Sequence, residues 1–395
     1  MRAAILNGYN KNGGTLAVCD IPVPEIGDHE VLVKIKAAGV NPLDNMIVRG
    51  EVKLIVPYKF PLIMGNEFCG VVEKAGKAVS SFTVGDRVYG RMPLKKIGAF
   101  AEYAAVDHNA IAKAPEYLSD EEAASVPLTA LTALQAFELM DVKSGKTVFI
   151  SGGTGSLGAM AIPIAKSMGL NVITNGSAEN QERVMRLGAD RFIDYKSEDY
   201  SKALSDVDYV LDTLGVRELE KEFSILKSGG SLVSLRGLPN GEFAVRMGMP
   251  TMKRFLFGLA GSKYDKMAAK SKQKYYFVFV REDGAGLKRI SEIFGKRKME
   301  TSVDKIYELS EVNGALAKVA GGGSKGKTIL KISKLSQQSR HRPAVHSACR
   351  CLFFMRYGLI IEYRLPDSLD RQQHSSKHHL KSLFPALPQQ FRSCG

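Results

Sequence analysis

The residues best suited to chemistry in this chain form a glycine-rich loop near the middle of the sequence. Gly153, Gly155 and Gly158 follow the apolar segment 147–150 and open the helix-like run 157–169. This order of strand, tight turn and helix suits a dinucleotide pyrophosphate, because glycine lets the backbone approach the phosphates and free N–H groups at the helix N-terminus meet their charge. The loop residues predicted to bind the cofactor are Gly152, Gly153, Thr154, Gly155, Ser156, Leu157 and Gly158.

The segments after this loop supply the elements that would position it. Apolar strand-like runs alternate with helical ones, which predicts a parallel, doubly wound sheet. The competing interpretation, a glycine turn with no ligand, is disfavoured by this context. The predicted strands are 170–174, 191–195, 207–215 and 231–237, and a helix is predicted over 179–189.

About 145 residues precede the loop and form a second kind of module. Short strand-like runs separated by Gly and Pro turns indicate a compact, β-barrel-like unit. These runs are 3–8, 30–40, 70–76, 86–90 and 100–106.

Several motifs in this half carry a resemblance to a known family. They read AAGVNPLD (37–44), FPLIMGNEFCGVVEKAG (60–76), FTVGDRVYG (82–90), GAFAEYAAV (98–106) and AASVPLTALTALQAF (123–137). In order and spacing the chain resembles the medium-chain dehydrogenase/reductase superfamily over residues 1–333. Within it, the chain is most similar to the zinc-free quinone oxidoreductase (zeta-crystallin-like) and alkenal reductase branch.

The resemblance implies an α/β fold, with a Rossmann doubly wound parallel sheet and a GroES-like β-barrel catalytic domain. It places the first part of the catalytic domain at 1–124 and the Rossmann NADP-binding domain at 125–284. Residues 285–333 would return to the catalytic domain. By resemblance, such a chain pairs into a homodimer through the edge strands of its Rossmann sheets.

Metal use separates the branches of this family. Zinc alcohol dehydrogenases of the superfamily have a Cys at the position of Asn41 and a His at the position of Asn66, and amides are poor ligands for zinc. The stretch 91–103 also lacks the four cysteines of their structural zinc lobe. We therefore expect no metal, and Glu67 alone does not make a site.

The end of the second strand of the nucleotide module predicts the cofactor. NAD sites usually place a carboxylate there, whereas residues 174–178 read TNGSA. Ser177 can donate a hydrogen bond, Arg183 can pair with a phosphate, and Tyr195 matches the position of a 2′-phosphate wall in the quinone reductases. NADPH is therefore favoured over NADH, although a solvated surface charge remains the alternative for Arg183.

The remaining site residues come from the resemblance. Asn41 and Asp44 would line the nicotinamide and substrate end, with Asn41 donating to the substrate oxygen or the carboxamide. Tyr58 is the candidate proton donor, because the family tyrosine is Met46 here. The residues that would contact the nicotinamide or wall the pocket are Thr132, Leu235, Arg236, Gly237, Phe277 and Phe279.

These residues predict hydride transfer from NADPH to a quinone or to the β-carbon of an α,β-unsaturated carbonyl. Two alternatives stay open, a zinc-free alcohol dehydrogenase-like protein and a catalytically idle NADPH-binding protein. A short-chain reductase is excluded, because no Tyr-x-x-x-Lys pair supports it: Ala268 stands four residues after Tyr264.

Composition bounds the class of protein. The chain has 395 residues, 45% hydrophobic and 24% charged, as in a globular protein with two cores. No apolar run approaches the ~20 residues of a membrane span, and five cysteines do not indicate a disulfide framework. We expect a cytoplasmic protein that acts on a small molecule and has no membrane partner.

The net charge of +14 is unevenly distributed. Residues 334–395 carry ten Lys or Arg, three acidic residues, five of the seven histidines and three of the five cysteines. We interpret this segment as a non-native-looking or disordered tail, such as a cloning or frameshift extension, and leave it out of the fold prediction. Its His346, Cys349, Cys351, His378 and His379 match no standard zinc spacing. The rest of the charge is spread thinly, so no nucleic-acid partner is expected.

Overall fold

Two large sheets of different character and one small sheet build the described part of the protein. The computed structural model describes residues 1–299, 301–323 and 326–332. The tail 334–395, with its candidate histidines and cysteines, lies outside the described residues.

The strands follow one another along the described chain in this order. They are β1 (Arg2–Leu6), β2 (Ala17–Asp20), β3 (Glu30–Val40), β4 (Leu62–Ile63), β5 (Glu67–Ala75), β6 (Arg87–Arg91), β7 (Tyr103–Asp107), β8 (Ile111–Lys113), β9 (Thr147–Ile150), β10 (Asn171–Gly176), β11 (Arg191–Asp194), β12 (Val207–Asp212), β13 (Leu226–Ser234), β14 (Lys274–Phe277), β15 (Val303–Glu308) and β16 (Lys327–Lys331).

The α-helices lie between and around these strands. They are α1 (Pro42–Arg49), α2 (Asp120–Ala124), α3 (Pro127–Leu139), α4 (Ser156–Ser167), α5 (Gln181–Arg186), α6 (Tyr200–Ala203), α7 (Leu219–Ile225), α8 (Gly241–Arg246), α9 (Thr251–Lys270), α10 (Gly284–Arg297) and α11 (Val312–Gly321). No helix of the described part is long and apolar enough to cross a membrane.

The catalytic module is built on the longest strand, β3, whose alternating apolar residues are buried. Its main sheet has the order β15-β16-β3-β5-β6-β8, and β7 also pairs with β3. β16 lies antiparallel to β3, so the end of the described chain returns to this sheet. A smaller sheet, β2-β1-β4, completes the module. The predicted GroES-like unit is confirmed, and the exact domain boundaries stay predictions.

The nucleotide module is a parallel sheet of six strands in the order β11-β10-β9-β12-β13-β14. The chain starts in the centre at β9, runs outward through β10 to β11, and then crosses to β12 on the other side. The strand order therefore reverses beside β9, and the crevice at the carboxyl ends of β9 and β12 is where such sheets bind ligands. The predicted Rossmann sheet is confirmed.

Some predicted elements differ in length from the observed ones. The helix predicted over 179–189 is shorter, since a 3₁₀ turn over 178–180 precedes α5. β13 begins at Leu226, five residues before its predicted start, because Leu226 pairs with Val207 on β12 and the Gly229 N–H donates to the Lys272 carbonyl oxygen despite two glycines. Tertiary pairing here outweighs the local signal of a glycine turn.

The two modules meet at α3 and α10. The helix α3 is buried on nearly every side and packs against α4 and α10, while its first turn lies against the catalytic sheet. On that sheet Tyr89 donates to the Leu287 carbonyl oxygen of α10 at 2.8 Å. The cleft between the modules is therefore bordered by rigid elements, with the glycine loop on one side.

Candidate functional site

The glycine loop between β9 and α4 has the shape that a dinucleotide requires. A Cβ on Gly153 would lie 1.8 Å from Thr174 Oγ1, and one on Gly158 would lie 2.3 Å from the Gly153 Cα. Both positions are closed to any side chain. A Cβ on Gly155 would meet only the Gly152 carbonyl oxygen, at 3.5 Å, so Gly155 faces open space. An approaching phosphate would occupy that space.

A cleft begins where Gly155 faces this space. Gly155 is the N-cap of α4, so the free N–H groups of the first helical turn are directed toward the cleft. The lining residues include Thr154, Ser156, Arg183 and Lys327. A helix N-terminus and a backbone without side chains form a donor set that matches a pyrophosphate, and the cation of Arg183 lies beside them. The residues present therefore fit a dinucleotide.

The predicted 2′-phosphate residues lie on one side of the loop. Arg183 donates through Nη2 to the Thr154 carbonyl oxygen, which holds its guanidinium over the loop. Ser177 donates to Glu179 Oε1 at 3.1 Å. Tyr195 is 59% exposed, and its backbone N–H donates to the Gly176 carbonyl oxygen. These residues border the end of β10, where the adenosine of a bound dinucleotide would lie.

At the other end of the cleft, a buried ion pair joins four elements. Lys327 Nζ, on β16, lies 2.6 Å from Glu67 Oε1 and donates to Asn41 Oδ1 at 2.6 Å. Asn41 Nδ2 donates to the same Glu67 oxygen at 2.8 Å. The second Glu67 oxygen accepts from the Leu128 backbone N–H in the first turn of α3, at 2.7 Å. Both the N–H and the oxygen of the Asn41 side-chain amide are therefore hydrogen-bonded within the protein.

Asp44 is the second buried acid of this cluster. Its Oδ2 accepts from the Asn41 backbone N–H at 2.7 Å, and its Oδ1 accepts from Asn66 Nδ2 at 2.8 Å. Burial raises the pKa of Asp44 to about 7, against the lowering effect of these two hydrogen bonds. The carboxyl therefore orients Asn41 and Asn66 and changes its charge near neutral pH.

This cluster stands where the zinc-dependent relatives would have their catalytic ligands at Asn41 and Asn66. Both positions are amides. The Asn41 side chain binds Glu67 and Lys327, and Asn66 Nδ2 donates to Asp44. The ammonium of Lys327 supplies a positive charge between Asn41 and Glu67. Among the described residues, no three His, Cys, Asp or Glu side chains are grouped to hold a metal ion.

The other predicted contacts lie around the same cleft. Tyr58 donates its hydroxyl to the Leu94 carbonyl oxygen at 3.0 Å, and burial raises its pKa to about 12, so it remains a phenol. Thr132 donates to the Leu128 carbonyl oxygen within α3, at 2.6 Å. Phe279, beyond the end of β14, packs against the cores of both modules.

The loop after β13 is held by side chains below it. Gly237 donates its backbone N–H to Ser234 Oγ at 2.7 Å, and Leu235 donates to the Asp212 carbonyl oxygen at 3.2 Å. Arg236 lies between them, and Phe277 packs edge-on against Phe243 in a buried aromatic cluster. The loop is thus fixed at the carboxyl edge of the sheet, and the cofactor contacts of Leu235 and Gly237 stay predictions.

Sequence reasoning missed three residues of this site. Lys327 follows a glycine in an apolar strand, and nothing local shows that it pairs with Glu67, 260 positions earlier in the sequence. Asn175 accepts from the Gly152 backbone N–H at 2.7 Å and so fixes the first turn of the loop. Arg91 is fully buried at the end of β6. Each contact depends on distant strands coming together.

Two family descriptions match the chain. The alcohol dehydrogenase GroES-like domain matches residues 27–116, and the zinc-binding dehydrogenase domain matches residues 187–330.

Individual relatives agree with these families. The mitochondrial NAD(P)H oxidoreductase RTN4IP1 of Danio rerio is 31% identical, over 84% of this chain and 91% of the relative. The chloroplastic NADPH-dependent alkenal/one oxidoreductase of Arabidopsis thaliana is 31% identical, over 64% of this chain and 68% of the relative. Among solved structures, the quinone oxidoreductase of Coxiella burnetii superposes with a TM-score of 0.71 at 28% identity, over 84% of this chain and 99% of that one.

The open space at Gly155 gives a first prediction. Gly155→Ala keeps an ordinary backbone conformation and meets no close neighbour, so the fold is retained, but the new methyl group projects toward the pyrophosphate. We expect NADPH affinity to fall at least about tenfold, or ~1.4 kcal/mol, measured by titrating the cofactor fluorescence. Gly321→Ala, on α11 with nothing within 4 Å of a Cβ, is the matched control. Unchanged affinity in Gly155→Ala would contradict this placement of the pyrophosphate.

The buried carboxyl of Asp44 gives a second prediction. Its pKa is about 7 in the folded protein and about 4 in an unfolded chain. The folded state therefore binds the proton more tightly, and stability is lost as pH rises between those values, by at most ~1.4 kcal/mol per pH unit. Asp44→Asn removes this loss. The free energy of unfolding of the variant minus that of the native protein should rise from pH 4 to 7 and then level off; a flat difference contradicts the assignment.

Proposed function

Because the chain belongs to the medium-chain dehydrogenase/reductase superfamily, we propose that it is an NADPH-dependent, zinc-independent oxidoreductase. It transfers hydride to a quinone or to the C=C bond of an α,β-unsaturated carbonyl compound. The observation that carries this proposal is the ammonium of Lys327 between Asn41 and Glu67, at the position of the metal site in zinc-dependent relatives. Alcohol oxidation there would lack the Lewis acid that stabilises an alkoxide.

NADPH is the cofactor. The glycine loop and the N-terminus of α4 receive its pyrophosphate, and the crevice beside β9 receives the dinucleotide. At the end of β10, Gly176 and Ser177 stand where NAD-specific proteins usually have an acid, and Arg183 lies over the loop. The relatives named as NAD(P)H and NADPH-dependent oxidoreductases support the same choice.

When bound, NADPH supplies the hydride and the reducing electrons. The residues of the chain bind the cofactor, orient the nicotinamide and shield the acceptor from water. The loop after β13 holds Leu235 and Gly237 at the edge of the sheet that the nicotinamide would reach. Phe279 and Tyr58 enclose the acceptor and exclude water, which strengthens the electrostatic interactions inside the site. The acceptor takes up a negative charge on oxygen, and a proton from solvent completes the reduction.

The proposed function is tested by oxidation of NADPH by metal-free protein, with and without EDTA. The acceptors are a panel of quinones, enones and simple aldehydes. We expect turnover of a quinone or an enone that survives chelation, because the site binds no metal. Activity confined to aldehydes and abolished by EDTA would overturn the zinc-free assignment. Tight NADPH binding without turnover of any acceptor would support the alternative, a catalytically idle NADPH-binding protein.

Arg183 tests the preference for NADPH over NADH. Arg183→Gln removes the cation that would pair with the 2′-phosphate, so the KM for NADPH should rise about tenfold, or ~1.4 kcal/mol. The KM for NADH, which has no such phosphate, should stay the same. Arg186→Gln, an exposed arginine on the same helix, is the matched control. An equal rise for both cofactors would mean that Arg183 serves only to hold the loop.

Two wider expectations accompany this proposal. β14 stands at the end of the six-stranded sheet, so its outer edge has no strand partner among the described residues. A homodimer that continues the sheet across β14 remains our proposal. The cytoplasmic location also remains a prediction, and the Danio and Arabidopsis relatives are named as mitochondrial and chloroplastic.

A further inference from the structure

Arg91 is a buried cation with no role in the hydride transfer proposed above. It ends β6 and stands directly opposite Glu67 on β5 in the antiparallel ladder. Residues paired in this way project from the same face of a sheet. For Glu67 that face is the one on which Lys327 and α3 lie, beside the cleft. Arg91 is therefore directed to the same side, and its side chain has no exposed surface.

Its guanidinium is only partly bonded. Nη1 donates to the Met92 carbonyl oxygen and lies 3.8 Å from Glu282 Oε2. Nε and Nη2 are buried and have no hydrogen-bond partner. These two nitrogens form one edge of the planar group, from which two N–H bonds point in parallel. One complete edge of Arg91 thus faces the interior without an acceptor.

The other arginine of the same strand shows what a structural role requires. Arg87 donates from Nε to Asp120 Oδ1 at 2.7 Å, from Nη1 to the Pro115 carbonyl oxygen at 3.0 Å, and from Nη2 to the Leu118 carbonyl oxygen at 2.7 Å. All three nitrogens of Arg87 are satisfied. Arg91 is more deeply buried and less bonded than Arg87.

Leaving Arg91 in this state costs stability. Burial disfavours its charged form and lowers its pKa, although an arginine stays protonated in proteins. An unpaired buried donor forfeits the hydrogen bonds that water would give it. A methionine or leucine of similar length would avoid that cost. A cation with a free two-donor edge is best explained by a ligand that completes its bonding.

The surroundings indicate which ligand. Nearby donors are already used, since the Tyr58 hydroxyl donates to Leu94 and the Asn41 amide donates to Glu67. Glu282 Oε2 lies 3.8 Å from Arg91 Nη1, and Glu67 stands opposite Arg91 in the ladder. Leu94 links the same Glu282 oxygen to Tyr58, because its N–H donates to Glu282 and its carbonyl oxygen accepts from Tyr58. The family resemblance assigns Asp44 to the nicotinamide and substrate end of the cleft and makes Tyr58 the candidate proton donor there. The unpaired edge therefore belongs to the place where the acceptor would bind.

Building on the proposed function, we propose that the Nε and Nη2 edge of Arg91 binds the carbonyl oxygen of the hydride acceptor and stabilises the oxyanion formed by reduction. With an enone, a C–H bond forms at the β-carbon from the hydride of NADPH, and the C=C electrons move to make an enolate. NADPH is oxidised to NADP⁺, and a solvent proton then adds to the α-carbon. With a quinone, the same transfer gives a hydroquinone anion.

The same edge explains why a fixed cation helps the reaction. The carbonyl oxygen is neutral in the bound acceptor and gains negative charge as hydride arrives. A preorganised donor pair in a dry site therefore stabilises the transition state more than the ground state. The substrate class follows as a carbonyl compound whose oxygen receives the charge. A simple aldehyde reduced at its carbonyl carbon would develop the more basic alkoxide.

Leu94, three residues after Arg91, is hydrogen-bonded to both modules. The Leu94 backbone carbonyl accepts from Tyr58, and the Leu94 N–H donates to Glu282 Oε2 at 3.0 Å. Tyr58 belongs to the catalytic module and Glu282 follows β14 of the nucleotide module. Each link is one hydrogen bond, and the proposal requires an entering acceptor to displace Tyr58 or Glu282 in order to reach the unpaired edge.

The test compares Arg91→Met and Arg91→Lys with Arg87→Met as the matched control. For Arg91→Met we expect kcat with an enone to fall about 100- to 1000-fold, as on loss of an oxyanion donor, while the Kd for NADPH stays within about twofold of the native value. The loss should be smaller with a quinone, whose hydroquinone anion is less basic than an enolate. Arg91→Lys keeps the positive charge but lacks the paired N–H edge, so its kcat with an enone should lie between that of the native protein and that of Arg91→Met.

Stability separates a substrate-binding role from a structural one. Removing a buried, underbonded charge should leave the melting temperature of Arg91→Met equal to or above that of the native protein. Arg87→Met should lower the melting temperature and keep kcat. A native kcat in Arg91→Met would overturn the proposed role of Arg91 and leave the proposed function intact. An equal loss of kcat with every acceptor, together with weaker NADPH binding, would do the same. If Arg91→Met does not fold, a native kcat in Arg91→Lys would overturn the proposed role of Arg91. Absence of any enone or quinone turnover in the native protein overturns the proposed function as well.

Discussion

The contact on which the site depends is the buried ion pair between Glu67 and Lys327. Glu67 comes from the centre of the catalytic sheet, and Lys327 comes from the strand that returns to it after the nucleotide module. Through its other oxygen Glu67 holds the first turn of α3, and through the ammonium it holds Asn41 at the start of α1. Such a pair is costly to bury and still more costly to break, because either partner alone would be an uncompensated charge. It therefore fixes four elements in a single arrangement.

The geometry of the cleft follows from this arrangement. Gly39 is part of it, because a Cβ there would lie 2.3 Å from Glu67 Oε1 and would displace the carboxylate. Asp44 extends the cluster to Asn66, and Lys327 also borders the cleft of the glycine loop. The network thus runs from the acceptor end of the cleft to the phosphate end. Lys327 is thus a cation held by hydrogen bonds beside Asn41, one of the two positions at which the family resemblance places metal ligands in zinc-dependent relatives.

Three cationic side chains of the catalytic sheet have different roles, namely Arg87 and Arg91 on β6 and Lys327 on β16. Arg87 holds β6 to the loop before α2 and has every nitrogen bonded. Lys327 is bonded within the protein and stabilises the junction of the modules. Arg91 keeps an edge without a partner, which distinguishes it from both. Residues that are satisfied stabilise the fold, while a residue left unsatisfied where the acceptor would bind is more informative about chemistry.

The sequence by itself determined the two modules, the parallel character of the nucleotide sheet and the position of the glycine loop. Those features rest on local patterns, namely apolar periodicity, turn residues and a glycine spacing that is read within a few residues. The resemblance also predicts Asn41 and Asp44 near the acceptor, with Tyr58 as the candidate proton donor. Only the tertiary structure decided how their polar atoms are used, that Lys327 meets Glu67, and that one edge of Arg91 is left without a partner. These facts depend on strands far apart in the sequence coming into register, and burial and hydrogen bonding are properties of that assembly that no single segment encodes.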